Sequence, residues 1–245
     1  MMDMNFNQHI SQQFNADLEG IRNQMLAMGG LVQRQVADSI EAICSGDTSS
    51  ADKIIQREDD VDAMEVKIDQ ECTHILVRRQ PAASDLRMVL AVSRVVRDLE
   101  RMGDEAAKVA IHALEVANGN QAASKMCNQS IRHMGNAVVK MTSDALDAFA
   151  RHDVKGAIEV VRSDKMVDEQ YASAIRELST YMMEDPRSIG QAINILWILR
   201  AIERIGDHAR NISEQVIYLV SGTDVRHSSL SEMEEQAQSD LPDNT

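Results

Sequence analysis

The chain is poor in the residues that build turns, sheets and cross-links. Proline occurs three times in 245 residues, and aromatics make up 3%, with a single Trp. So few of either argues against a sheet-built core and for helices packed through Leu, Ile, Val, Met and Ala. The three cysteines, Cys44, Cys72 and Cys127, are far apart and form no CxxC. An odd, scattered set excludes a disulfide framework and fits reduced thiols in the cytoplasm. No charged-then-apolar leader opens the chain. The longest apolar stretch, Ile193 to Leu199, is too short for a bilayer, so a soluble cytoplasmic protein is expected. Cationic residues are outnumbered, 25 against 39 acids, for a net charge of −14. That balance disfavours nucleic-acid binding, which needs Lys and Arg against phosphate. It suits a cation binder or a protein that meets basic patches on partners. A Gly-rich phosphate loop and a nucleophile elbow are both missing, and no catalytic residues are expected.

What the chain has is a repeat. Arg97-Asp98-Leu99-Glu100-Arg101-Met102-Gly103-Asp104 returns 103 positions later as Arg200-Ala201-Ile202-Glu203-Arg204-Ile205-Gly206-Asp207. Met28-Gly29 is echoed by Met134-Gly135, Asp62 by Asp168 and Pro81 by Pro186. Apolar residues at steps of three and four predict helices over about 11–44, 51–79, 84–117, 122–151, 153–184 and 188–221. Ser45–Ser50, Gln80–Ser84 and Asn118-Gly119-Asn120 break them, with Ser84 placed to cap the third. The expected fold is all-α: one three-helix unit (11–117) duplicated as a second (120–221). Residues 222–245 carry six acids and one Arg and no apolar periodicity, which predicts a disordered tail.

Both signatures hold paired acids at i, i+4, which share one helix face: Glu100 with Asp104, and Glu203 with Asp207. Like charges so placed destabilise a helix by roughly 0.2–0.5 kcal/mol, and a mid-helix Gly costs about 1 kcal/mol relative to Ala. Two unfavourable features written twice point to a bound cation; a solvated acidic face with a Gly for close packing is the plainer alternative. The second helix of each unit adds Glu58 with Asp62, and Asp164 with Asp168. At 100° per residue all four pairs lie away from the apolar stripe, so they are expected on the outer surface. Oxygen-rich, His-poor sites suit hard or borderline cations. A di-metal oxidase or iron-storage centre is the alternative reading. It would project its ligands inward and needs Glu-x-x-His twice, whereas only Glu71 with His74 supplies one. Arg87, Arg94, Arg97 and Arg101 share one face of the third helix. They read as a docking surface or anion contact, or as ion-pair partners of neighbouring acids (Arg97 to Glu100, Arg101 to Glu105). Asp85-Leu86-Arg87 is a turn into a helix and a plausible exposed contact. Trp197 and the Met residues read as packing.

The doubled Glu-Arg-x-Gly-Asp, with Arg79-Gln80-Pro81-Ala82-Ala83-Ser84-Asp85-Leu86-Arg87 ahead of the first copy, resembles the PhoU family of bacterial phosphate-uptake regulators, in particular its enterobacterial type. Met28-Gly29-Gly30, Phe149-Ala150-Arg151 and Tyr181–Asp185 belong to the same likeness, which runs from about residue 9 to 227. The resemblance implies two three-helix bundles, commonly a homodimer, with metal ions (Mg, Mn, Fe or Zn) on the bundle surface. Its ligand pairs correspond to Glu58/Asp62, Glu100/Asp104, Asp164/Asp168 and Glu203/Asp207. It implies a non-enzymatic negative regulator of phosphate uptake and starvation signalling. The partners would be the phosphate ABC transporter ATPase and a sensor histidine kinase, and Asp85, Arg87, Arg94 and Arg101 the contacts. One departure is Asp185-Pro186-Arg187, a shortened loop in the second unit, so the two units should differ as docking surfaces.

Overall fold

A computed structural model of the chain describes residues 3–118, 121–226 and 228–239. Its helices are α1 (Asp3–Ser45), α2 (Ala51–Arg79), α3 (Ala83–Ala117), α4 (Gln121–Arg151), α5 (Val154–Glu184), α6 (Ile189–Ser221) and α7 (Leu230–Ser239), with one 3-10 turn at Pro186–Ser188. No strand occurs among the described residues. The bounds follow local chemistry. Gln80 ends α2 in the left-handed conformation, its N–H on the Leu76 carbonyl. The Asp153 side chain accepts from the Gly156 N–H and opens α5. Gly222, at φ 80°, closes α6, a conformation that glycine adopts without a Cβ clash.

The stripe read from periodicity is the core. Val92, Val95, Val96, Leu99, Met102, Ala106 and Val109 of α3 are fully buried, as are Ile198, Ile202, Ile205, Ala209, Ile212 and Val216 of α6. Burying each larger side chain stabilises by about 1.5–3 kcal/mol. Helices α1–α3 and α4–α6 form the two halves, but one continuous apolar core runs through both. Two seams join them, α1 against α4 and, more extensively, α3 against α6. The first seam is reciprocal. A Cβ on Gly29 of α1 would sit 2.5 Å from a methyl of Leu146, and one on Gly135 of α4 would collide with Ile40. The repeated Met-Gly is therefore where the two helices come closest.

Several expectations change. α1 begins at Asp3 instead of near residue 11. Ser84 does not cap α3, whose N-cap is Ala82 without a side-chain bond. Gly119 and Asn120 of the central break lie outside the described residues, as do 227 and 240–245 of the tail. The described part of the tail carries α7. Val225 and Met233 are buried, and Arg162 of α5 bonds Glu234 of α7 at 2.6 Å. Two apolar side chains among acids set up no readable period, yet they suffice to seat α7 on α5. Trp197 is half exposed and stacks on His112, with ring centroids 6.3 Å apart, instead of filling the core.

Candidate functional site

The carboxylates gather into two groups. Asp62 of α2 meets Glu100 and Asp104 of α3; Asp164 and Asp168 of α5 meet Asp207 of α6. Within each trio the nearest carboxylate oxygens all lie within 4.8 Å of one another. The signature glycines face these junctions, where a Cβ would make ordinary van der Waals contact. A Cβ on Gly103 would lie 3.5 Å from Val61 of α2, and one on Gly206 would lie 3.5 Å from Asp164. The mid-helix Gly thus lies within the helix junction beside the acids.

Three of the four expected acids enter each group, and not the same three. In the second half Arg200 bonds Glu203 at 2.8 Å and turns it aside. Asp164 takes the vacant place. The corresponding Arg97 makes no such bond with Glu100, which stays in its group, while Glu58 lies against Asp104. Asp62 and Asp168 are exposed, Glu58, Glu100, Asp104, Glu203 and Asp207 are half-buried, and Asp164 is 1% exposed, against the expected outer surface. Asp164 is a methylene shorter than Glu58 and rests over Gly206, where no side chain holds it off the helix. One of its oxygens takes a bond from Arg210 at 3.4 Å; the other is buried with no partner.

Burial first, then the neighbouring Asp168 and Asp207, push the Asp164 carboxyl up to about 6 in spite of Arg210. Glu58, Glu100, Glu203 and Asp207 are also raised, in each case by burial and then by adjacent carboxylates. Desolvation therefore outweighs the mutual repulsion expected from the sequence. Glu65, unnoticed in the sequence, joins the first group's surroundings and is raised for the same reasons. Its spacing, seven after Glu58 and three after Asp62, was the available signal. An all-oxygen donor set, like-charged, partly dehydrated and holding an orphaned carboxylate oxygen, fits a hard divalent cation.

The docking candidates separate. Asp85 is half-buried at the start of α3. Arg87 tucks beneath the end of α6, 3.4 Å from where a Cβ on Gly222 would be, with its Nε buried and unbonded. Arg94 donates to Gln215 at 3.2 Å and lies over the Tyr218 ring. Only Arg101 is exposed. Neither ion pair foreseen for this stripe forms: Glu105 is buried and takes Lys108 at 2.9 Å and, across the seam, Arg204 at 3.2 Å. Asp98 accepts from both His208 and Asn211 of α6.

No described helix is long and apolar enough to cross a membrane. A family model described as the PhoU domain matches residues 25–113 and again 131–216, one match per half. The chain is 53% identical over 230 residues to a Pseudomonas aeruginosa protein named phosphate-specific transport system accessory protein PhoU homolog, covering 94% of both chains. It is 44% identical over 227 residues to the Escherichia coli accessory protein PhoU, covering 93% of each. The crystal structure of P. aeruginosa PhoU superposes with a TM-score of 0.83 at 52% identity, over 86% of this chain and all of that one. The Streptococcus pneumoniae phosphate transport system regulatory protein PhoU gives 0.79 at 29% identity, over 86% of this chain and 99% of that one. The chain belongs to the PhoU family of phosphate-transport accessory proteins.

Proposed function

We propose that this protein is a cytoplasmic, non-enzymatic negative regulator of phosphate uptake, working on the phosphate ABC transporter ATPase and its sensor histidine kinase. The observation that carries the reading is the pair of carboxylate groups, one at each α2/α3-type junction, in a chain that shares 93–94% of its length with proteins named for phosphate transport. A divalent ion (Mg, Mn, Fe or Zn) would be held by Asp62, Glu100 and Asp104 in one half and by Asp164, Asp168 and Asp207 in the other, with Glu58 and Glu203 adjacent. It would supply charge neutralisation and a link between two helices. Protein contacts would use Asp85 and Arg101, with Arg87 and Arg94 acting by fixing the α3/α6 surface from beneath. Oxidase chemistry is disfavoured, because neither trio contains a histidine.

The test is co-purification with the intact transporter and kinase, in phosphate-rich and phosphate-starved cells, for wild type and Arg101→Glu. Wild type should be retained when phosphate is ample. The variant should lose retention and derepress phosphate-responsive genes while keeping its helical content. Full repression by Arg101→Glu at normal protein level would move the docking surface elsewhere.

A further inference from the structure

The α3/α6 seam opens into a trough whose cationic lining the metal reading leaves unused; Asp104 and Asp207 of the two carboxylate groups stand at it, as does Arg101. One part encloses about 660 Å³; an adjoining part of about 370 Å³ shares Arg101, Asn211, Glu214 and Arg226 with it. In a chain of net charge −14, this trough is cationic. Arg101, Lys108, Arg200, Arg204, Arg210 and Arg226 line its larger part, against four carboxylates. Two of those, Glu105 and Glu214, are about 95% buried and hold Lys108, Arg204 and Arg210 by their ends. They fix the cations in place, and each guanidinium has further N–H groups beyond those bonds.

The two halves face one another across an approximate two-fold axis, as the reciprocal glycine contacts of α1 and α4 require. Under that relation the Arg204–Glu105 bond should have a mate, Arg101 with residue 208. Residue 208 is His, and it is turned onto Asp98 at 2.9 Å. Arg101 therefore makes no bonded ion pair and feels the field of Glu100, and Arg97, one turn earlier, likewise bonds no carboxylate but lies in the field of Glu65. Two guanidiniums at the trough thus keep their N–H groups free of hydrogen bonds, Arg101 because residue 208 is not an acid.

We propose that this trough binds a phosphoryl oxyanion at Arg101, which lines both parts, with Arg97 in the smaller part and Arg204 of the second half in the larger. Planar guanidiniums match tetrahedral oxyanions with paired N–H donors. A volume of this order is that of a small-ligand cleft, which favours a compact anion over an acidic peptide. Free phosphate and the phosphate chain of a nucleotide share this chemistry.

Calorimetric titration of the full-length protein, stripped of metal by EDTA and dialysed into 150 mM-range chloride buffer, separates the sources. Inorganic phosphate, tripolyphosphate and ATP are titrated in turn, alongside a hexaglutamate peptide. Saturable binding of at least one phosphoryl anion is expected, weakened about tenfold or more by Arg97→Ala/Arg101→Ala. Arg151→Ala/Arg176→Ala, equal in charge but on distant exposed positions, should leave it unchanged. Phosphate alone binding identifies the free ion; tripolyphosphate or ATP alone identifies a chain of phosphates. The proposal is overturned if no phosphoryl anion binds, if hexaglutamate alone binds, if both double variants weaken binding equally, or if binding requires added Mg²⁺ and ignores Arg97 and Arg101. Failure here would not touch the regulatory reading, which is judged by partner retention in cells.

Discussion

Asp164→Asn isolates the energetic character of the second carboxylate group. The Asp164 carboxyl stands at about 6 in the fold, against an ordinary 3.8, and its side chain is almost fully buried. A raised acid binds more protons folded than unfolded, so its contribution to stability is complete below about 4 and is lost as pH rises through 6. The loss has a ceiling of about 3 kcal/mol at pH 8, about half that at pH 5, and close to nothing by pH 3.5. Asn has the same shape and no charge. In metal-free protein it should recover much of that ceiling at pH 8, less the Arg210 contact, which Glu214 retains in part. For a chain of this size 1 kcal/mol moves the melting temperature by roughly 2–4 °C, so a rise of several degrees is expected at pH 8. The gain should shrink at pH 5 and vanish near pH 3.5. Thermal denaturation followed by far-UV circular dichroism at the three pH values, in EDTA, measures it. A melting temperature that falls at pH 8, or a change independent of pH, would mean that Arg210 fully compensates the charge, and the reasoning about an uncompensated buried carboxylate would be wrong.

Millimolar Mg²⁺ or micromolar Mn²⁺ should raise the melting temperature, by about 2.7 kcal/mol equivalent at a hundredfold excess over Kd, and Glu100→Gln/Asp104→Asn should remove much of that increment while leaving the metal-free protein at least as stable. Gly135→Ala should lower stability by about 1–3 kcal/mol in urea unfolding, because the new methyl meets a β-branched Ile40 close to its backbone. Gly29→Ala should cost less, since it meets the mobile tip of Leu146 and gains helix propensity. Met233→Ala should cost about 2 kcal/mol if α7 is part of the fold, and nothing measurable if it is not.

Periodicity carried the helices and their inner faces, because burial of a stripe is a property of one helix. The register of α2 against α3 was not in it. Asp62, Glu100 and Asp104 were readable as surface acids, but their meeting depends on how α2 packs against α3. Asp164 was misplaced for a related reason: the angle around α5 puts it beside Asp168 on the polar face, and the packing of α5 on α6 over Gly206 covers it. Glu203 was displaced by Arg200, an i, i+3 bond that the sequence permitted at Arg97 and Glu100 equally. Arg87 was read as exposed from its turn-like neighbours, and its cover comes from Gly222, 135 positions away.

The reciprocal contacts of Gly29 with Leu146 and Gly135 with Ile40 have a consequence for how this molecule could vary. Two separate copies of one half, paired the same way, would form a symmetric dimer in which every substitution appears twice. There an Arg101 opposite Glu at the equivalent of 105 would be matched on both sides, and no unpaired guanidinium could arise without losing the other bond as well. Joining the copies in one chain removes that constraint. His208 can stand where symmetry calls for a Glu, Asp164 where it calls for a longer acid, and Tyr171 opposite Arg200 where the first half has Glu65. A single polypeptide thus carries one scaffold and two different faces, which an assembly of identical subunits on a two-fold axis is unable to encode.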